Sequence, residues 1–262
     1  MAAAAPPARA SRSEFLAALL AALHRAGVAC RRQGRHLLVK LASGGVGRVD
    51  VESLHAAYRA GTQPLAQAVD ECVARLQGLA APGGEAEALE RRVRPVLRAA
   101  SFGTQAVGAL HRPAGGGLEV FYVLEDEAFL RYLPEAALVP AGLSVEQVDA
   151  LAWRHLEAAP APLLPVALEA GRVVLAESGQ GLWAVAGGDG YDGARLLTGT
   201  QRRRLVDAVG EGPWRVHLGW REFALVCREV DPAAVAALRG LAPGPDGIAG
   251  LFRLGEGTLE PG

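Results

Sequence analysis

At 262 residues, 50% hydrophobic and 21% charged, the chain can hold one large or two small domains with real cores, which excludes a disordered protein. A net charge of −1 supplies no overall field to gather nucleic acid or an anionic membrane, so any such contact needs a local basic patch. Cys30, Cys72 and Cys227 stand far apart with no Cys-x-x-Cys pair, which speaks against a disulfide framework or zinc ribbon and suits a reducing, cytoplasmic setting.

After an Ala/Pro-rich tail over residues 1–10, expected to be disordered, Ser11 and Glu14 have the spacing of a capping box. Phe15, Leu16, Leu19, Leu20 and Leu23 then repeat at helical period and Gly27 ends the pattern, predicting a helix over 12–26. Glu14 abuts this apolar run, which favours an ordinary helix over a secretory signal, and no run reaches the ~18 apolar residues of a membrane span. Three β-prone segments follow near 28–32, 36–42 and 46–51, separated by Gln33-Gly34 and Ser43-Gly44-Gly45, the signature of a meander. A helix from Ser53 carries Leu54 and Tyr58, breaks at Gly61, and gives way to a second one with Leu65, Val69, Val73 and Leu76 on one face. Ala80 to Gly84 cannot continue a helix and is the predicted boundary between a domain at 11–80 and a larger one at 85–262.

In that second unit Val93–Leu97 and Leu118–Leu124 read as strands, and Ser144 with Gln147 caps a helix running to about Ala158. Strands are expected near 164–168, 172–177 and 181–186, then a glycine-rich turn and a helix at Arg202–Val209. Strands near 213–217 and 222–227, a helix at Pro232–Arg239 and an extended piece near 250–254 complete the chain. Strands in groups point to an α+β fold: a helix, β-meander and two-helix unit followed by a larger mixed unit with antiparallel strands.

The densest polar constellation is GDGYDGARLL at Gly188–Leu197. Glycine permits positive φ and close approach of a ligand to the backbone, while Asp189, Tyr191, Asp192 and Arg195 supply acids, a phenol and a cation. The structural reading has Asp192 capping the next helix, Arg195 as its ion-pair partner and Tyr191 anchored in the core. The functional reading needs the carboxylates held outward beside a hollow. The spacing fits neither a calcium loop nor a P-loop, so no metal set is assigned. No Gly-x-Ser-x-Gly elbow or demonstrable Cys–His pair offers a nucleophile, so no catalytic residue is assigned either. Arginine clusters at 31–35, 91–98 and 202–204 read as solvated faces, and with 5% aromatics nucleic acid is disfavoured as a partner.

Several stretches together resemble the YtpQ-like bacterial family, domain of unknown function 1444: RVRPVLR at Arg92–Arg98, LEVFYVLED at Leu118–Asp126, AGLS at Ala141–Ser144, GDGYDGARLL, and EGTLEP at Glu256–Pro261. The resemblance implies an α+β cytoplasmic bacterial protein with no assigned activity. Where the family tends to have Ala-Ser this chain has Gly193-Ala194, and where it often has Pro-x-Arg-Asp the chain has Gly219-Trp220-Arg221-Glu222. The leading expectation is a non-enzymatic accessory or binding module, without a cofactor, that meets an unidentified protein partner or small ligand and no membrane. Its candidate residues are Asp189, Gly190, Tyr191, Asp192, Arg195, Arg98, Arg221 and Glu222. The alternative is an enzyme using Asp189 and Asp192, with or without a divalent ion, on an anionic substrate held by arginines.

Overall fold

The computed structural model describes residues 9–34, 36–41, 46–78, 85–126, 129–177, 181–244, 247–255 and 257–262. Helix α1 (Arg12–Arg25) starts at the predicted capping box: the Ser11 hydroxyl accepts the Glu14 amide, and the Glu14 carboxylate accepts the Ser11 amide at 2.7 Å. Strands β1 (Cys30–Gln33), β2 (His36–Lys40) and β3 (Val46–Asp50) form the expected antiparallel meander. The turn predicted at Ser43–Gly45, the boundary at 80–84 and residues 1–8 of the tail lie outside the described residues. Arg9 and Ala10 are bound: the Arg9 guanidinium donates to the Gly61 and Gln63 carbonyls, and the Ala10 amide to the Tyr58 hydroxyl at 3.1 Å.

Helix α2 (Val51–Ala60) begins before Ser53, because the Asp50 carboxylate caps it by accepting the Glu52 and Ser53 amides. Helix α3 (Leu65–Gly78) follows. Helix α4 (Glu85–Arg92), which the sequence reading did not foresee, carries five charged residues among its eight and buries Leu89. It runs straight into β4 (Val93–Ala99). Then come β5 (His111–Gly115), β6 (Leu118–Asp126), β7 (Phe129–Tyr132), α5 (Leu138–Ala141), α6 (Val145–Glu157), β8 (Leu163–Glu169), β9 (Arg172–Leu175) and β10 (Leu182–Val185). The chain closes with α7 (Asp192–Arg195), α8 (Gly199–Val209), β11 (Trp214–His217), β12 (Ala224–Arg228), α9 (Pro232–Arg239), β13 (Leu251–Leu254) and β14 (Leu259–Pro261).

The fold is α+β, with two antiparallel sheets. The first runs β1-β2-β3-β7-β6-β4 with β5 also on β6; the second runs β14-β13-β11-β12-β10-β8-β9. The strands on either side of residues 80–84 share a sheet, since Gly47, Arg48 and Val49 of β3 pair with Arg131, Leu130 and Phe129 of β7. The N-terminal meander is therefore the outer half of a sheet completed by residues beyond 92, and its hydrogen bonds carry on across the expected boundary. Among the described residues no helix is long and apolar enough to cross a membrane.

Directly opposed residues of an antiparallel pair lie on one face. Leu37, Val39, Val49 and Phe129 thus face helices α1 to α3, packing with Phe15, Leu19, Leu54, Val69 and Leu76. The other face carries His36, Leu38, Arg48, Leu130 and Tyr132. Because β2 is buried on both faces over His36–Val39, it shows no alternation in the sequence. A second core joins the two sheets: Val96, Phe121 and Tyr132 of the first and Val185, Val216 and Val226 of the second belong to one apolar cluster with Val148 and Leu156 of α6. The far side of the second sheet, with Ala184, Leu225 and Cys227, packs on Ala234 and Leu238 of α9.

Candidate functional site

The glycine-rich turn connects β10 to α7, and its polar side chains bond mainly to one another. Asp192 is fully buried. Its Oδ1 accepts the Gly187 amide at 2.9 Å and Arg195 Nη1 at 2.8 Å, and its Oδ2 accepts the Gly188 amide at 3.3 Å. It does not cap the helix as expected: it occupies the first helical position and reaches backward, tying the end of the strand to the turn. A Cβ on Gly187 would lie 2.5 Å from Arg195 Nη1 and 2.7 Å from Asp192 Oδ1, so this bond set needs glycine there.

Arg195 is 5% exposed and sits at the centre. Its Nε donates to the Ala159 carbonyl at 2.8 Å, Nη1 to Asp189 and Asp192 at 2.6 and 2.8 Å, and Nη2 to Asp189 Oδ2 at 2.5 Å. Asp189 Oδ1 also accepts the Tyr191 amide at 3.1 Å. Tyr191 is buried, and its hydroxyl donates to Glu125 Oε2 at 3.0 Å, stitching the turn to β6 of the first sheet.

These contacts set the acidities in opposite directions. Burial raises the Asp192 carboxyl, and the Gly187 amides and Arg195 do not offset it. Burial acts on Asp189 as well, but the bonds and charge of Arg195 outweigh it and hold that carboxyl below its ordinary range. Burial raises Glu125 and, with the Glu125 charge, lifts the Tyr191 phenol well above its usual value.

The expectation that both carboxylates point outward is thus corrected. One guanidinium clamps the pair, Asp192 is sealed from solvent, and only Asp189, with a side chain 37% exposed, keeps an open side. A divalent ion would have to compete with Arg195 and three backbone amides to gain both acids. Ala194, where the family tends to carry serine, is buried as well, in the core cluster that also holds Leu97 and Leu218.

Three of the other candidates do meet. Arg98 of β4, Gly190 of the turn and Arg221 of the loop between β11 and β12 line a notch of ≈ 30 Å³ with Leu97, Leu218, Trp220 and Ile248. This is about one water's share of liquid volume. Arg98 is steered by its Nε bond to the Tyr132 hydroxyl at 2.9 Å and its Nη1 bond to the Leu97 carbonyl at 2.7 Å, and it lies over the Phe102 ring. The Arg221 guanidinium lies against the Gly190 backbone, where a Cβ would be 2.5 Å from Nε, and its Nη1 donates to His36 Nε2 at 3.1 Å. Glu222 is half-buried and does not line the notch.

Glu125, Trp220 and Ile248 escaped the sequence reading. Glu125 stands in the LEVFYVLED block that carries the resemblance, and Trp220 directly precedes Arg221 in the stretch that departs from the family pattern. A second, half-buried polar knot was also missed: Asp149 Oδ1 accepts Arg112 Nε at 2.9 Å, Trp153 Nε1 at 2.8 Å and the Tyr122 hydroxyl. It fixes α6 on β5 and β6, and burial together with the Asp149 bond raises the Tyr122 phenol. Among the described residues no group of three or more His, Cys, Asp or Glu side chains is arranged to hold a metal ion. The chain matches no family model, no curated protein and no solved structure.

Proposed function

We propose that the protein is a non-enzymatic, cytoplasmic binding module of YtpQ-like type, which receives one anionic group of a small ligand or protein partner in the notch between its sheets. Arg98 and Arg221 are the recognising charges, and Gly190 lets the second of them lie flat against the turn. The observation that carries this reading is that an arginine of the first sheet and one of the β11–β12 loop converge on one small hollow. Asp189 and Asp192 serve as the frame beneath it, with Arg195 as their counter-charge. The free cysteines fit a reducing compartment.

A volume of ≈ 30 Å³ takes a carboxylate or the tip of a phosphate and no more, so the remainder of the ligand lies outside. Arginine suits this task because its planar fork meets two oxygens at once. Thermal unfolding at fixed ionic strength, with inorganic phosphate, citrate or chloride, tests the reading. Phosphate or citrate at a hundred times its dissociation constant should add about 2.7 kcal/mol of stability. Arg221→Gln should abolish that gain while changing the unliganded midpoint little. Equal shifts with chloride, or an undiminished shift in Arg221→Gln, would overturn the proposal.

A further inference from the structure

At the outer end of the first sheet, on the face opposite helices α1 to α3, lies a groove of ≈ 570 Å³. Its lining includes Arg31, Leu38, Lys40, Val46, Gln105 and Val107. That volume is in the range of sites for drug-sized molecules. Register explains the arrangement: Arg31 opposes Leu38, Leu38 opposes Arg48, and Lys40 opposes Val46, so three cations and two aliphatic side chains share one face of β1, β2 and β3. Leu38 and Val46 form the apolar floor, and Val107, 73% exposed, stands at the opposite wall. Arg31 Nη2 donates to Gln105 Oε1 at 2.5 Å, which fixes the guanidinium between the sheet and that wall. Among the described residues, none of those lining the groove is acidic.

Arg48, 8% exposed and directly across from Leu38, is a further cation on the same face, outside the groove's lining.

We propose that this groove binds an amphipathic organic anion: an aliphatic body against Leu38, Val46 and Val107, and one carboxylate or phosphate head between Arg31 and Lys40. An apolar floor rejects inorganic polyanions, and the lining holds no aromatic ring on which a nucleobase could stack. The inference is independent of the reading given for the Arg98–Arg221 notch.

Lys40 is the chain's sole lysine, so an amine-reactive ester followed by peptide mass spectrometry reads this groove at a single side chain. Dodecanoate and dodecyl phosphate, below their micellar concentrations, should each be tried on the full-length protein, with dodecanol and acetate as the tail-only and head-only probes. One or both amphiphiles should slow Lys40 acylation several-fold, and which of them does so separates a carboxylate from a phosphate ligand. Calorimetry should show binding weakened roughly tenfold in Lys40→Gln, the loss of one charge-assisted hydrogen bond. Val107→Asp, at an exposed position, should weaken binding without changing the melting temperature. Arg221→Gln should leave protection intact. Failure of both amphiphiles to protect Lys40, equal protection by dodecanol or by acetate, or wild-type affinity in Val107→Asp would overturn the proposal.

Discussion

The turn at Gly188–Arg195 and the groove on β1–β3 are opposites. The turn concentrates charge in a few consecutive residues and spends nearly all of it internally: Asp192 and Arg195 are buried, each with partners on several sides. The groove is assembled from strands β1 to β3 and a distant loop, with single cations, Arg31 and Lys40, on neighbouring strands. A cluster of acids and a base close in sequence can neutralise itself, whereas cations brought together by strand register have no local acid to meet. Polar density in the sequence therefore marks architecture here, and the hollows form where separate elements converge.

This contrast can be broken most directly at Arg195. Arg195→Ala leaves Asp192 buried without its counter-charge and should cost about 3–5 kcal/mol in urea unfolding. A loss under about 1 kcal/mol would show the turn to be dispensable and revive it as a recognition surface. Tyr191→Phe comes next, because it removes the bond between the turn and the first sheet and strands a half-buried Glu125. It should cost about 1–2 kcal/mol in the same measurement.

The smallest effect sharpens the difference between the two acids. The folded-state pKa of Asp189 lies below its unfolded value of about 3.8, so its contribution to stability is complete above that pH and is lost as pH falls through the folded value. Asp192 and Glu125 have raised values, so they bind protons more readily in the folded state and work in the opposite sense on acidification. Urea midpoints measured between pH 5 and pH 2.5 should thus fall less steeply in Asp189→Asn than in the wild type. A steeper fall in the variant would show that Arg195 does not hold the Asp189 carboxyl below its ordinary range.

What the sequence revealed was whatever is decided within a few residues. The capping boxes at Ser11–Glu14 and Ser144–Gln147 close over one helical turn, and both are present. The structural reading of the turn was also largely local: the Asp192–Arg195 ion pair spans three positions and Tyr191 is anchored in the core. Strand β7 was invisible because FLRY is four residues long, buried throughout, and carries Arg131 in its middle. Its place between β3 and β6 depends on pairings that no local pattern encodes. The start of α2 was misplaced because Asp50 ends a strand and caps a helix at once. Arg98 and Arg221 were legible as charges, but their meeting at Gly190 depends on how two sheets share a core.

The bond between His36 and Arg221 spans 185 positions of the chain, which places the notch late in the order of synthesis. As the protein leaves the ribosome, the edge of β3 at Gly47–Val49 stays bare until Phe129–Arg131 emerge to cover it, and a bare edge invites pairing with other chains. Only a molecule translated past the β11–β12 loop owns both arginines, so products of premature termination carry the sticky edge or the first arginine but never the finished notch.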